Sequence, residues 1–241
     1  MKKTFLYLAL ASLTIVSCRK DVEEIIPEVS IETQNTYDDQ AAQAFLQNHY
    51  LDEKGNLQDL VATDTVHVKL ADMIPAPVTL PSGVIYLVRA GAQPDPGTPV
   101  GTYDELHLMS ASYSYLAEEF EGKARFGPPS LFRNTISGTG IPETDPSYYY
   151  VKKSVLEKAT YAPAKERKYY EIEGFQEGLK HFAAFNLPDE SNYNLQGVII
   201  VPSRAAFARD EHYNYTGISY RNRSFVFNFQ IYKSIFSAEP R

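Results

Sequence analysis

Residues 224–232 read SFVFNFQIY, a stretch in which polar and apolar side chains alternate almost throughout. Alternation with a period of two places successive side chains on opposite faces of a β-strand. Phenylalanine and β-branched residues also favour strands. The stretch therefore predicts a strand with an aromatic face, which we expect at the centre of an antiparallel sheet.

Further strands are predicted on both sides of this stretch. Each is a run rich in β-branched or aromatic residues and bounded by glycine, proline or polar turn residues. They are residues 65–70, 84–88, 103–116 and 197–201. Two helices stand out by the spacing of their apolar residues, one from Asp38 onward and a short one near residues 174–182. Together these elements predict an α+β fold, an antiparallel sheet with one short helix packed on it.

The N-terminus has the features of an export signal. Lys2 and Lys3 precede an apolar run over residues 5–16, which is too short to span a membrane as a helix. The following Ser17-Cys18 resembles the bacterial lipobox, in which the cysteine is acylated and becomes the new N-terminus. We therefore predict a signal peptide over residues 1–17 and lipidation of Cys18.

The mature protein is expected to be held in the cell envelope by this lipid. The outer membrane is the expected location, at its periplasmic face or at the cell surface. The acidic residues after Cys18 faintly resemble a surface-export signal of Bacteroidetes lipoproteins. Residues 18–37 contain Pro27 and lack sustained periodicity, so they are predicted to form a flexible tether.

The charge balance argues against several classes of partner. The chain has 23 basic and 30 acidic residues, a net charge of −7, and loss of Lys2 and Lys3 would make it −9. Because no basic patch stands out along the sequence, we expect neither nucleic-acid binding nor electrostatic binding to anionic lipid.

The residue types usually found in metal and hydrolase sites are sparse. Cys18 is the only cysteine, so no disulfide can form within the chain. The five histidines show no paired ligand spacing, and no serine lies in a Gly-x-Ser-x-Gly motif. We therefore predict no metal, no cofactor and no hydrolase triad.

Four separated segments resemble the FKBP family of peptidyl-prolyl isomerases, in that family's order. Each matches an element of the FKBP fold: the opening strand, the strand ending in a Phe-Asp pair, the Ile-x-Gly-Trp-x-Glu-Gly-Leu helix start, and the closing strands. They are residues 81–96, residues 103–121, residues 172–179, and residues 198–227. The resemblance implies an FKBP-like domain over residues 78–236, preceded by a helical and strand extension over residues 38–77. Residues 122–170 form an insert where the family has a short connection.

The resemblance also implies the residues of a proline-binding pocket. Phe120, Ile172 and Phe227 stand where the family has the same residue types, and Phe175 replaces the tryptophan of the pocket floor. Glu121 replaces an aspartate, Phe207 a tyrosine whose hydroxyl binds a substrate carbonyl, and Ser110 an aromatic residue. The apolar walls are thus retained while the polar groups are altered.

Three functions remain open from the sequence. The resemblance implies a weakly active peptidyl-prolyl isomerase that acts on proline-containing polypeptides and assists folding of envelope or surface proteins. The alternative is a non-catalytic FKBP-like binding or scaffold lipoprotein of an envelope assembly. A glycan-binding lipoprotein rests only on the 18 tyrosines, and the absence of tryptophan weakens it.

Overall fold

The computed structural model describes residues 28–238 and 240–241. The predicted signal peptide, the lipidation site at Cys18 and the first half of the predicted tether lie outside these residues. Within them, no helix is both long enough and apolar enough to cross a membrane.

The described chain contains three α-helices and twelve strands. The helices are α1 (Ile31–Asn48), α2 (Lys153–Lys158) and α3 (Glu173–Leu179). The strands are β1 (His49–Leu51), β2 (Leu57–Asp59), β3 (Val78–Thr79), β4 (Ile85–Val88), β5 (Thr98–Pro99), β6 (Glu105–Phe120), β7 (Lys123–Phe126), β8 (Ser130–Asn134), β9 (Glu143–Thr144), β10 (Ala183–Ala184), β11 (Gly197–Val201) and β12 (Arg223–Ile235). Short 3₁₀ helices cover Leu70–Asp72, Pro163–Lys165, Arg167–Tyr169 and Ser203–Ala205. The predicted α+β class is confirmed.

One antiparallel sheet organises the molecule. Its strands follow the order β3-β4-β11-β12-β6-β7, and β8 and β9 also pair with β6. The SFVFNFQIY strand lies between β11 and β6, so its predicted central position is confirmed. Its alternating side chains create two cores, with Phe225, Phe227 and Phe229 on one face and Val226 on the other.

Helix α3 packs on the aromatic face of the sheet at close range. A Cβ atom added to Gly174 would lie 2.5 Å from Val201 Cγ1, and one added to Gly178 would lie 2.8 Å from Ile199 Cγ2. These two glycines are one turn apart, so both face β11. Because neither glycine has a side chain, this seven-residue helix lies close to the sheet. Phe175, the residue after Gly174, therefore reaches the core.

Helix α1 covers the opposite face. It begins at Ile31, because the Ser30 hydroxyl accepts the Thr33 N–H at 3.1 Å and caps the first turn. The prediction that residues 31–37 belong to a flexible tether is therefore wrong. Its buried face includes Phe45 and Leu46, which pack with Val226 of the central strand.

A buried carboxylate ties α1 to the segment after β11. Asp38 accepts hydrogen bonds from Gln34 Nε2 at 3.0 Å and from the Ser203 N–H at 2.8 Å. Burial raises the pKa of the Asp38 carboxyl, although its hydrogen bonds oppose the shift. The folded protein therefore holds the Asp38 proton more tightly than the unfolded chain does.

We expect Asp38→Asn to gain stability relative to the wild type as pH rises. For an acid whose folded pKa is raised, the stabilising contribution is present below the unfolded pKa of about 3.9 and is lost as pH rises through the folded value. The asparagine variant has no carboxyl group at this position, so it does not lose this stabilising contribution as pH rises. Urea unfolding of both proteins at several pH values measures the difference, and a difference independent of pH would contradict the expectation.

Residues 65–70 do not form the predicted strand. The Asp64 carboxylate accepts the N–H groups of Val66 and His67 at 2.9 and 3.0 Å, which bends the chain. The same carboxylate contacts His67 Nδ1 at 2.7 Å. These local bonds compete with strand pairing, and the segment makes only one β-bridge, from Lys69 to Tyr50.

The predicted insert belongs partly to the sheet. Strands β7, β8 and β9 all pair with β6, so residues 123–144 extend the sheet. The segment from residue 145 to 170 lies outside it and carries α2, which was not predicted from the sequence. Arg167 fastens this segment by donating to the buried Glu171 carboxylate at 2.9 Å and to the Tyr150 hydroxyl at 2.8 Å.

Candidate functional site

The concave face of the sheet, beneath α3, holds a cluster of aromatic rings where the resemblance implied a pocket. We call this cluster the aromatic core. Its rings come from β8, β12, α3, the segment beyond β9 and the segment between β11 and β12. They are Phe132, Tyr148, Phe175, Phe207, Tyr215, Tyr220, Phe225 and Phe227.

Four of the predicted pocket residues do come together here. The rings of Phe175 and Phe227 stack with their centres 4.0 Å apart. Ile172 precedes α3, and its N–H donates to the Tyr148 carbonyl at 2.8 Å. Phe207 lies 6.0 Å from Phe225, measured between ring centres. All four are almost wholly buried, so they form packed core instead of the walls of an open pocket.

Phe120 and Glu121 do not belong to the aromatic core, and the structure corrects this part of the prediction. Phe120 is the last residue of β6 and is 47% exposed. The Arg125 guanidinium carbon lies 3.6 Å from the centre of its ring. Glu121 has a φ of 53° and forms the turn to β7 together with Gly122. Both residues therefore lie beyond the end of the aromatic core.

Tyr148 is the most important ring that the resemblance did not assign. It is fully buried, with ring centres 5.0 Å from Phe132, 5.9 Å from Phe175 and 6.1 Å from Phe227. It therefore fills the middle of the aromatic core. The sequence offered a signal in the run Tyr148-Tyr149-Tyr150, but only the fold shows which of the three rings points inward to these partners.

A polar pair closes the outer side of Tyr148. Its hydroxyl donates to the Glu143 carboxylate at 3.1 Å, and burial raises the pKa of this phenol, with the Glu143 charge adding to the shift. The Arg133 guanidinium carbon lies 4.8, 5.4 and 5.0 Å from the ring centres of Phe132, Tyr148 and Tyr215. Its Nε is 3.5 Å from Glu143, so a cation lies against the outer edges of these rings.

The floor of the aromatic core carries three serines of β6. Ser110, Ser112 and Ser114 stand opposite Phe229, Phe227 and Phe225 in the strand register. Opposite residues in antiparallel strands share a face, so these serines point to the aromatic side. Their buried hydroxyls have no hydrogen-bond partner among the residues described. The small side chains leave room for the large rings across the sheet.

Surface cavities lie away from the aromatic core. Five of them, with volumes of about 30 to 620 Å³, are lined by none of the seven residues predicted for the pocket. In the described parts of the chain, no three histidine, cysteine, aspartate or glutamate side chains are grouped closely enough to hold a metal ion.

Comparison with known proteins gives only distant likeness. No protein-family model and no curated protein matches the sequence. The chain is similar to the crystal structure of FkpA from Escherichia coli, at 18% identity and a TM-score of 0.37, over 68% of this chain and 54% of that one. It is also similar to a peptidyl-prolyl cis-trans isomerase from Pseudomonas syringae pv. tomato, at 11% identity and a TM-score of 0.36, over 87% of this chain and 99% of that one.

The chain thus spans about half the length of FkpA. Likeness at this level identifies neither a family nor an activity.

Proposed function

We propose that this protein is an FKBP-like lipoprotein of the bacterial cell envelope that acts as a non-catalytic binding or scaffold module. The observation that carries the proposal is the filled aromatic core. Ile172, Phe175 and Phe227 are inaccessible to solvent, and Tyr148 occupies the space between Phe132, Phe175 and Phe227. Among the described residues, these side chains therefore offer no exposed wall to a proline ring.

The FKBP-like part of the proposal is supported by how the four resembling segments assemble. The first and last contribute β4, β11 and β12, which are neighbours in the sheet. The second contributes β6, which pairs with β12 along its length. The third contributes α3, which packs on β11 through Gly174 and Gly178.

The chemistry of proline isomerisation explains why a filled core opposes activity. The barrier of about 18–20 kcal/mol arises from the partial double bond of the planar imide. A catalyst lowers this barrier by binding the twisted, less polar form more tightly than the planar form, for which an apolar cup is suited. The rings of this chain already pack against one another. They are therefore not free to bind the twisted form of a substrate more tightly than its planar form.

A second candidate, a weakly active isomerase, is favoured by one observation. The Arg133 side chain is 21% exposed, and the nearest approach of its ion pair with Glu143 is 3.5 Å. An exposed ion pair contributes about 0–1 kcal/mol, and this pair is only half-buried. Movement of Arg133 would uncover the edges of Phe132, Tyr148 and Tyr215, although Tyr148 would still fill the centre.

An isomerase assay decides between the two candidates. The mature chain is incubated with a short Xaa-Pro peptide and with a protein whose refolding is limited by proline isomerisation. We expect both to proceed at the uncatalysed rate, on the scale of tens to hundreds of seconds. Arg133→Ala is expected to gain no activity, because Tyr148 remains in place.

Arg125→Ala is the matched control, since Arg125 also lies over an aromatic ring but outside the aromatic core. Acceleration by the wild type would refute the non-catalytic proposal, and a further rise in Arg133→Ala with Arg125→Ala unchanged would show the role of Arg133. The isomerase candidate would then stand, with Arg133 limiting access to the aromatic core.

A further inference from the structure

A cavity of about 420 Å³ lies on the face of the sheet opposite the aromatic core. Ser112 and Ser114 of β6 point to the aromatic core, so the alternating residues Tyr113 and Tyr115 point to the other face. Both tyrosines line the cavity, together with residues of α1, of the β1-β2 hairpin and of the segment around β8. Its volume is within the range of small-molecule sites, about 300–1,000 Å³. We call it the tyrosine cavity.

Contacts within the chain hold the walls of the tyrosine cavity in place. The buried Asn228 side chain donates to the Gly55 carbonyl at 2.9 Å, which ties the β1-β2 hairpin to the central strand. Tyr115 packs against two other rings, with centres 5.8 Å from Phe45 and 5.0 Å from Phe126. A site whose groups are fixed before binding loses less conformational entropy when a ligand binds.

Tyr113 supplies a ring that no other ring of the fold uses. It is half-buried, and in the described part of the chain its ring has no aromatic or cationic partner. The other rings that line the cavity are those of Phe45, His49 and Tyr115, and each of them contacts another ring. Because the face of an aromatic ring is apolar and electron-rich, Tyr113 is suited to stack on polarised C–H groups.

Polar atoms around this ring are left over from the internal hydrogen bonds. Asn134 Oδ1 accepts the Ser137 N–H at 3.0 Å, so its Nδ2 is the group that can donate to a ligand. Asn56 Nδ2 donates to the Asp52 carboxylate at 2.9 Å, so its Oδ1 is the group that can accept. Among the described residues, neither of these two atoms nor the Tyr115 hydroxyl has a hydrogen-bond partner. The cavity thus presents a donor, an acceptor and a hydroxyl that can act as either.

The ionisable groups of the cavity favour a neutral ligand. In the described chain its lining contains one acid, Asp59, whose carboxylate lies 3.1 Å from His49 Nε2. Burial raises the pKa of the Tyr115 phenol, and the nearby Tyr113 and Asp59 add to the shift. The Tyr115 hydroxyl therefore keeps its proton at neutral pH. An anionic ligand would be repelled by Asp59, and a cationic one would have to compete with His49 for it.

The backbone of the cavity floor is already paired, which argues against an added polypeptide strand. Over residues 111–114, β6 pairs with β12 on one side and with β8 on the other. Binding by strand addition needs an open strand edge, and the floor of the cavity has none within these residues.

We propose that the tyrosine cavity binds a neutral saccharide. A sugar ring has a face of C–H groups that can stack on Tyr113. Each of its hydroxyls both donates and accepts, as the mixed polar atoms of Asn56, Asn134 and Tyr115 require. A purely apolar ligand would leave these three groups unpaired, which lowers affinity. The site would give the proposed binding module a ligand, but it is independent of the aromatic core on the opposite face of the sheet.

Isothermal titration calorimetry with neutral trisaccharides tests the proposal. The purified mature chain is titrated with maltotriose, cellotriose, mannotriose, xylotriose and chitotriose at millimolar concentration, and with decaproline as the polypeptide probe. We expect at least one of the trisaccharides to bind and decaproline not to bind.

Two variants locate the binding. Tyr115→Phe keeps the ring that packs on Phe45 and Phe126 and removes only the hydroxyl, so it should weaken saccharide binding about fivefold, the effect of one neutral hydrogen bond. Tyr113→Ala removes the stacking ring and should weaken binding about tenfold. Tyr86→Phe is the matched control, because in the described chain the Tyr86 hydroxyl also lacks a hydrogen-bond partner and Tyr86 does not line the cavity. It should leave the affinity unchanged, with circular dichroism confirming that every variant folds.

Several outcomes would overturn the proposal. They are binding of none of the five trisaccharides, saccharide binding that Tyr115→Phe or Tyr113→Ala leaves unchanged, and an equal loss in Tyr86→Phe. Binding of decaproline that Tyr113→Ala weakens would assign the cavity to a polypeptide partner instead. None of these results changes the outcome of the isomerase assay, because that assay reports on the aromatic core.

Discussion

Phe227→Ala is expected to lower the free energy of unfolding by about 3–5 kcal/mol, the range for phenylalanine removed from a packed core. Phe227 lies on the central strand and has no exposed surface. Its ring stacks on Phe175 at 4.0 Å and lies 5.9 Å from Phe132 and from Phe225. Removing it leaves a cavity that rigid neighbouring rings cannot collapse to fill. Urea unfolding followed by circular dichroism gives the change directly.

Phe120→Ala is the control for this measurement. It is the same substitution at a residue that the sequence resemblance placed in the same pocket. Because Phe120 is 47% exposed and contacts mainly Arg125, we expect a loss of at most about 1 kcal/mol. Similar losses at both positions would show that Phe120 is buried with the aromatic core after all.

Cys18→Ala is expected to release the protein from the membrane or to leave it as an unprocessed precursor. The thiol of Cys18 is the only one in the chain, so no other cysteine can be acylated. Anchoring by two or more acyl chains is stable, because each buried methylene contributes about 0.8 kcal/mol. Detergent phase partitioning and the apparent mass of the product together measure anchoring and processing.

Ser17→Ala is the matched control, since alanine is also small and leaves the thiol in place. It should remain processed and membrane-bound. If Cys18→Ala still partitions with detergent as the mature product, Cys18 is not the anchor. Another contact would then have to hold the protein to the membrane.

The sheet could be predicted from the sequence because its strands have strong local patterns. The alternation in SFVFNFQIY and the apolar run of β11 identified both strands to within four residues at each end. The short helix α3 was also recognised, from the spacing of its apolar residues and from its resemblance to the FKBP helix start. Each of these patterns involves residues close together in the sequence, and in each the apolar positions of the pattern are the ones that the fold buries.

The sequence predictions were wrong where contacts between distant parts of the chain, or a single side chain, determined the local structure. Residues 65–70 have a strand pattern, but Asp64 hydrogen-bonds the backbone and bends it. Phe120 matched a family position by order in the chain, whereas the length of β6 carries it past the aromatic core. The filling of the aromatic core by Tyr148 depends on partners in β8, α3 and β12, which no local pattern connects.

The position of the central strand has a consequence for export. Strand β12 is the last strand in the chain, yet it contributes to the cores on both faces of the sheet. Its partners in β6 are more than 100 residues earlier, from Leu116 opposite Arg223 to Glu105 opposite Ile235. A polypeptide threaded through a secretion channel from its N-terminus cannot complete either core until this strand has emerged. For a chain exported as its N-terminal sequence predicts, the topology would postpone compaction until translocation is nearly finished.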